Sequence, residues 1–373
     1  MAVFYALVGA VIVFVVLLDT FEAVVLPRRV TRPYRPSRLF YRTAWELWLA
    51  ATAPGPIDRY RQALLGAFGP LSLLTLFALW ATGLVLGFGL LHHAAAPDGR
   101  GLGESLYLSS TTFTTLGYGD LTPSNTAGRM LAGIEALVGF GFLAVVIGYL
   151  PVFYQAFSQR EVAISLLDAR AGSPPSAGEL LARLAPARGA ALDRFLVEME
   201  RWAAEVLEGH LSYPVLAYYR SQHDNQSWLS ALACSLDASA LLLTVVDAAD
   251  RHQARLTFAM GRHVLVDVAL VLRRTPQPPP EDRLPPELLT AMLAKLRAAE
   301  VAVRDDEPAR AKLTELRGLY EPFAQALASY LRLDLPPVWR DSERPDNWQT
   351  SAGMRRAGGL ATLAAGPVDE HFD

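Results

Sequence analysis

Thr114-Thr115-Leu116-Gly117-Tyr118-Gly119-Asp120 is the stretch on which the reading of this chain turns. Successive residues can aim their carbonyl oxygens at one axis only by leaving ordinary helix and strand dihedrals. Glycine reaches positive φ without a Cβ clash, so Gly117 and Gly119 at alternate positions suit a strand of that kind. A ring of such carbonyls replaces the hydration oxygens of a cation that leaves water. Thr115 adds a hydroxyl oxygen at the inner end. Tyr118 is expected to point away from the axis and brace the strand from behind by packing and hydrogen bonding. A bare Gly-x-Gly is weak evidence, so the flanking sequence has to carry the rest.

Before the strand, Leu102 to Thr115 is mostly uncharged and too short to cross a bilayer. It is expected as a re-entrant helix, which membrane depth allows where protein or water surrounds it. Glu104 in its first turn favours the positive end of that helix dipole, leaving the negative end toward the place a cation would occupy. On either side lie Leu64 to Leu91, free of charge, and Met130 to Phe157, with Glu135 as its one charge. Each exceeds the roughly 20 apolar residues that cover the hydrocarbon core. A third uncharged run, Ala2 to Leu18, ends near Asp19 and Glu22. It has neither a basic n-region nor a small-x-small cleavage site, so a retained membrane helix is expected over a cleaved signal peptide.

Arginine placement sets the expected orientation. Arg28, Arg29, Arg32, Arg35, Arg38, Arg42, Arg59 and Arg61 lie between the first two runs, against only Arg100 and Arg129 between the second and third. By the positive-inside rule, residues 27–63 and everything beyond residue 158 are cytoplasmic, while the N-terminus and residues 92–129 face outward. Trp45 and Trp48 suit a short helix at the membrane interface, the other reading being a solvated loop. The first run has no regularly spaced arginines, so nothing resembles a voltage-sensing helix.

The segment Thr115–Asp120 closely resembles the selectivity filter of potassium channels, commonly Thr-Val-Gly-Tyr-Gly-Asp, with Leu116 in place of valine. Asp120-Leu121-Thr122-Pro123 and Gly128-Arg129 are similar to the outer mouth and inner-helix start of two-helix bacterial potassium channels. Gly139 falls where that family has its hinge glycine. The likeness covers about residues 64–157. It implies an all-α membrane protein with a tetrameric pore built from outer helix, re-entrant pore helix, filter and inner helix. It also implies K+ held at Thr115, Leu116, Gly117 and Tyr118, with Gly119 completing the ion-binding strand. Filter support and the outer mouth fall to Thr111, Thr114 and Asp120. The chain has one filter and no second Gly-Tyr-Gly, so the resemblance implies a homotetramer with cyclic symmetry.

There are departures. Thr111 stands where some family members have a buried glutamate behind the filter. Tyr107 and Leu108 replace a tryptophan pair, so the cuff around Tyr118 must be built differently. No aspartate replaces Tyr118, which argues against the non-selective relatives.

Gly139 and Pro151 are the candidate gate. Gly139 acts as a hinge or packs against the pore helix or a neighbouring subunit; Gly141 is read as packing. Pro151 is expected to kink or break the third span near its cytoplasmic face. Glu135 is a functional candidate because it is ionisable within a span, and hydrogen bonds to the pore helix's threonines are the simpler reading. Asp19 and Glu22 are expected to pair with Arg28 or Arg29 as a structural anchor.

Beyond Phe157 the chain has helical periodicity, with helices expected at 177–184, 190–210, 227–250, 254–274, 286–303 and 307–333. Gly172-Ser173-Pro174-Pro175 and Pro276 to Pro280 are breaks. No Gly-x-Gly-x-x-Gly follows residue 160, so a Rossmann-like regulatory domain is not supported, and no strand patterning supports a cyclic-nucleotide β-roll. The run from Tyr213 through Tyr218, Tyr219, Arg220, His223, Asp224 and Asn225 to Trp228 reads as a helix junction with Asp224 or Asn225 as cap, or else as a small-ligand pocket. His263 and Asp267 share a helical face but do not make a metal site. With a net charge of −3 and no basic face, nucleic acid is not an expected partner. Cys234 is the only cysteine, which rules out an intrachain disulfide.

The expected organisation is a transmembrane helix at 1–26, a basic interfacial segment at 27–63, a pore module at 64–157, a helical cytoplasmic domain at 158–340 and a flexible tail at 341–373. The expected function is passive K+ conduction across the inner cell membrane. No catalytic constellation and no organic cofactor are expected, and an unknown cytoplasmic ligand is allowed for. The alternative is a non-conducting, membrane-anchored signalling or interaction protein with a vestigial pore. An intact Thr115–Gly119 strand argues against it.

Overall fold

The computed structural model describes residues 1–26, 35–52, 60–96, 99–184, 190–222, 225–247 and 251–340. These form an all-α protein in two compact units, Met1–Ala156 and Phe157–Asp373. The tail at 341–373 lies outside the described residues, as do parts of the 27–63 segment.

In the first unit, α1 (Ala2–Thr20) runs on into a π-turn at Phe21–Val25 and is followed by α2 (Pro36–Ala51), α3 (Arg61–Ala95), α4 (Leu102–Phe113) and α5 (Thr126–Ala171). The helices beginning at Ala2, Arg61 and Thr126 are long and apolar enough to cross a membrane. Without a hydrophobic driving force between them, membrane helices associate by close backbone approach at small residues. α1 meets α3 that way: a Cβ on Gly9 would stand 2.6 Å from the Gly87 carbonyl oxygen. Leu84, Phe88 and Phe113 form one core cluster of this unit, packed by Val13 and Val16 of α1 and by Leu131, Val138 and Phe142 of α5.

The C-terminal end of α1 is pinned by Asp19, only 2% exposed. Its carboxylate accepts from Trp80 Nε1 (2.9 Å), Ser37 N (3.0 Å) and Ser37 Oγ (2.8 Å). Arg35 lies 3.7 Å from Asp19 and 3.5 Å from Glu22. Among the described residues the cation beside this acidic pair is Arg35; the expected partners Arg28 and Arg29 lie outside them. α2 is the short helix expected around Trp45 and Trp48, and both rings pack against α3. Trp45 is 1% exposed and packs edge-on against Phe68 of α3 at 4.7 Å, and Trp48 Nε1 donates to the Leu64 carbonyl. Leu39 and Leu47 are the exposed large apolar residues of α2.

Of the kink or break expected at Pro151, the break does not occur. α5 is one helix from Thr126 to Ala171 with Pro151 inside it. Proline forfeits one intrahelical hydrogen bond and crowds the preceding turn. The helix beyond it is held by burial of Phe153, Phe157, Ile164, Leu167 and Ala171.

The second unit adds α6 (Ala177–Leu184), α7 (Ala190–Ser212), α8 (Trp228–Leu243), α9 (His252–Val271), α10 (Pro286–Ala298), α11 (Glu307–Gly318) and α12 (Glu321–Leu331). α8 is the centre: every residue from Trp228 to Leu242 is buried. Its serines are tolerated there because Ser235 and Ser239 donate to carbonyls one turn back.

Three expected boundaries change. The helix expected to 250 ends at Leu243, where the β-branched Val245-Val246 instead pairs with Ala302-Val303 through an isolated antiparallel bridge. The same pairing ends α10 before residue 303. The helix expected at 307–333 is two, because Gly318 closes α11 and Pro322 sits in the first turn of α12, where a missing N–H costs nothing.

Candidate functional site

α4 delivers the strand. Its first turn is capped by Glu104 Oε2, which accepts from Gly101 N at 3.1 Å. At its other end, the Thr111 carbonyl accepts from both Leu116 N (2.9 Å) and Gly117 N (3.1 Å), folding the chain back over the helix terminus. Thr111 thus supports the strand through its backbone, while its hydroxyl donates to Leu108 O. Thr114 stays with the helix, its hydroxyl donating to Ser110 O at 2.7 Å.

Beyond this point the backbone alternates. Thr115 (φ 56°), Gly117 (φ 57°) and Gly119 (φ 77°) are left-handed, and Leu116 and Tyr118 between them are not. The two glycines meet the expectation drawn from their freedom at positive φ. Thr115 was missed, because a β-branched residue in this region is an outlier that costs about 1–3 kcal/mol and persists only where surroundings enforce it.

Asp120 is held from α4: the Tyr107 hydroxyl donates to Asp120 Oδ2 at 2.9 Å. Tyr118, from which bracing of the strand is expected, is 70% exposed in a single chain. Arg100 Nη2 donates to Thr122 O, and Asn125 caps α5 by accepting from Gly128 N at 2.7 Å.

Gly139 lies under the end of the pore helix: a Cβ there would stand 2.0 Å from Phe113 O. At Gly141, read as a packing glycine, a Cβ would meet nothing within 4 Å in this chain. Pro151 stands apart, about three turns further along α5.

Glu135 does not bond the pore helix's threonines. Its carboxyl lies 2.5 Å from Ser109 Oγ and 2.9 Å from His92 Nε2. Sequence reasoning missed both partners; the available signal was the His92-His93 pair closing an apolar run.

In the second unit, the Tyr213–Trp228 stretch forms a 3₁₀ turn at Pro214–Tyr218, tied to α12 by Tyr218 Oη···Tyr330 Oη at 2.9 Å and by Arg220 donating to Arg332 O. The cap of α8 is Ser227, accepting from Ser230 N, rather than Asp224 or Asn225; His223 and Asp224 are outside the described residues. Burial, with the charge of Arg160 adding, pushes His210 down to about 3. His263 and Asp267 form a 3.2 Å pair with the imidazole exposed.

Residues 74–156 match the family model described as "Ion channel". Protein LctB of Bacillus caldotenax is 32% identical over 117 aligned residues, covering 26% of this chain and 87% of the relative. Protein LctB of Geobacillus stearothermophilus is 33% identical over the same shares. No solved structure matches the chain. Three apolar helices long enough to span, a re-entrant helix and this likeness across nearly the whole of a relative agree: the chain belongs to the ion channel family.

Proposed function

We propose that four copies of this chain surround one axis and conduct K+ selectively and passively through the strand Thr115–Gly119. The observation that carries the proposal is the alternation of left-handed backbone at Thr115, Gly117 and Gly119, a pattern that turns successive carbonyls to the same side. Thr111 and Thr114 hold the inner end of the strand and Asp120 its outer mouth. The chain is proposed to sit in the inner cell membrane with its C-terminal unit in the cytoplasm. The C-terminal unit is proposed to serve assembly or gating.

Purified protein in a planar bilayer, with K+ on one side and Na+ on the other, tests this. A reversal potential close to the K+ equilibrium value is expected. Robust current reversing near zero would mean a non-selective pore and remove the assignment of 115–119. Gly117→Ala places a Cβ at φ 57° and is expected to abolish selectivity or current.

A further inference from the structure

Glu135 sits in α5 with its side chain wholly buried, and it joins the other two elements of the pore unit. Oε1 lies 2.5 Å from Ser109 Oγ on α4, and Oε2 lies 2.9 Å from His92 Nε2 on α3. Ser109 Oγ is also 2.8 Å from the Val85 carbonyl oxygen of α3.

Counting protons narrows the state of this group. A serine hydroxyl has one hydrogen to donate, and a carbonyl can only accept. Were Glu135 ionised, Ser109 would face two acceptors at hydrogen-bond distance with a single proton. One oxygen pair would then touch with no hydrogen between them, and a buried polar contact left unmade is costly. With a proton on Glu135 Oε1, every contact becomes a hydrogen bond. Oε1–H donates to Ser109 Oγ, Ser109 donates to Val85 O, and His92 Nε2–H donates to Oε2.

The titratable and charged groups that face this carboxyl are few. His92 comes from α3, and Arg100 lines the same small outer cleft as His92. α4 contributes the Ser109 hydroxyl, and Tyr5 of α1 packs on His93 rather than His92. An ionised carboxylate buried within a span is expensive in any case.

Ser109 lies two residues before Thr111, whose carbonyl holds the Leu116 and Gly117 amides. A shift of α4 at Ser109 therefore moves the anchor of the strand. We propose that Glu135 is a positioning residue held as the neutral acid, its proton completing a hydrogen-bond chain that runs from His92 through Ser109 to Val85 and fixes the pore helix. The functional half of this inference rests on reading residues 115–119 as the filter.

The test uses the full chain in liposomes as wild type, Glu135→Gln, Glu135→Ala and Ser109→Ala, with assembly checked by size. Infrared spectra are expected to contain a protonated-carboxyl stretch that Glu135→Gln removes. Glutamine, a neutral amide able to donate to Ser109 and accept from His92, is expected to keep the wild-type reversal potential. The two alanine variants are expected to lose K+ over Na+ preference by about tenfold, the scale of one lost buried hydrogen bond.

The proposal is overturned if no carboxyl band disappears in Glu135→Gln, because Glu135 is then ionised. It is equally overturned if the glutamine variant assembles but loses selectivity, or if both alanine variants assemble with selectivity intact. Should the alanine variants fail to assemble, the infrared band and the glutamine variant still decide. A wild type without K+ preference would remove the filter reading instead, while the band would still report the proton on Glu135.

Discussion

Gly139 and Phe113 meet backbone to backbone: a methyl group on the glycine would stand 2.0 Å from the phenylalanine's carbonyl oxygen. Over-packing of a filled interior costs about 1–3 kcal/mol, and here neither helix can yield without moving the base of the strand. Gly139→Ala is expected to lower the thermal unfolding temperature and remove most of the current. Gly141→Ala, with open space around its Cβ in this chain, is expected to leave the unfolding temperature where it was. Equal melting of the two variants would remove the packing role given to Gly139.

Tyr107→Phe deletes the only donor hydrogen in the 2.9 Å contact with Asp120 and little else. A hydrogen bond to a charged acceptor is worth about 1.5–3 kcal/mol, less at an exposed site. The outer mouth should loosen, and K+ current recorded at low external K+ should run down several-fold faster than in the wild type. Unchanged run-down would mean that Asp120 is held by something other than this hydroxyl.

Asp237 is buried in α8 against the Arg283 guanidinium at 2.5 Å, and it also accepts from the Tyr320 hydroxyl. Arg283 reaches Glu321 in turn, and Arg317 bonds both Glu321 and Asp282. Removing one partner of a buried pair strands the other charge and costs about 3–5 kcal/mol. Asp237→Ala should lower the denaturant midpoint of the second unit by a corresponding amount, while an exposed pair such as Lys312–Glu315 should cost under about 1 kcal/mol to break. A small, equal effect of both substitutions in urea titrations would show that the buried network contributes no more than the surface one.

His210 gives the second unit an acid-sensitive element. Burial holds it down at about 3, whereas an unfolded histidine titrates near about 6.5. Because the folded value is depressed, its contribution to stability is complete above the unfolded value. It is lost as pH falls from there toward the folded one, at up to about 1.4 kcal/mol per pH unit. Among the described residues Nε2 has no hydrogen-bond partner and Nδ1 meets only Val206 O of its own helix, so an apolar replacement forfeits little. His210→Leu is expected to match the wild type at pH 7 and to show a flatter loss of stability down to pH 4. Parallel acid melts of the two proteins would exclude the histidine as the cause.

Much of the pore unit was legible because its signals are local. Apolar runs mark the spans, Glu104 marks the start of the re-entrant helix, and alternating glycines mark the strand. What escaped notice depends on residues far apart in sequence. Asp19 finds Trp80 across 61 positions and Glu135 finds His92 across 43, and no periodicity reports such pairs. The packing of Trp45 on Phe68 escaped because composition does not report which neighbour a ring will meet. Thr115 escaped because its strain is imposed by the fold around it rather than preferred by the residue. In the second unit, helical content was plain, while the division of 307–333 rested on Gly318 and Pro322, two signals that a continuous apolar period had masked.

The carboxylate of Asp19 also imposes an order of events on biosynthesis. As the chain emerges from the ribosome, Asp19 is made well before Ser37 and long before Trp80, whose indole supplies its most distant hydrogen bond. Until then the group has Ser37 and Arg35 within reach but lacks the indole, and water takes that place. The hydrogen-bond set of Asp19 is therefore complete only once the second long helix has been made.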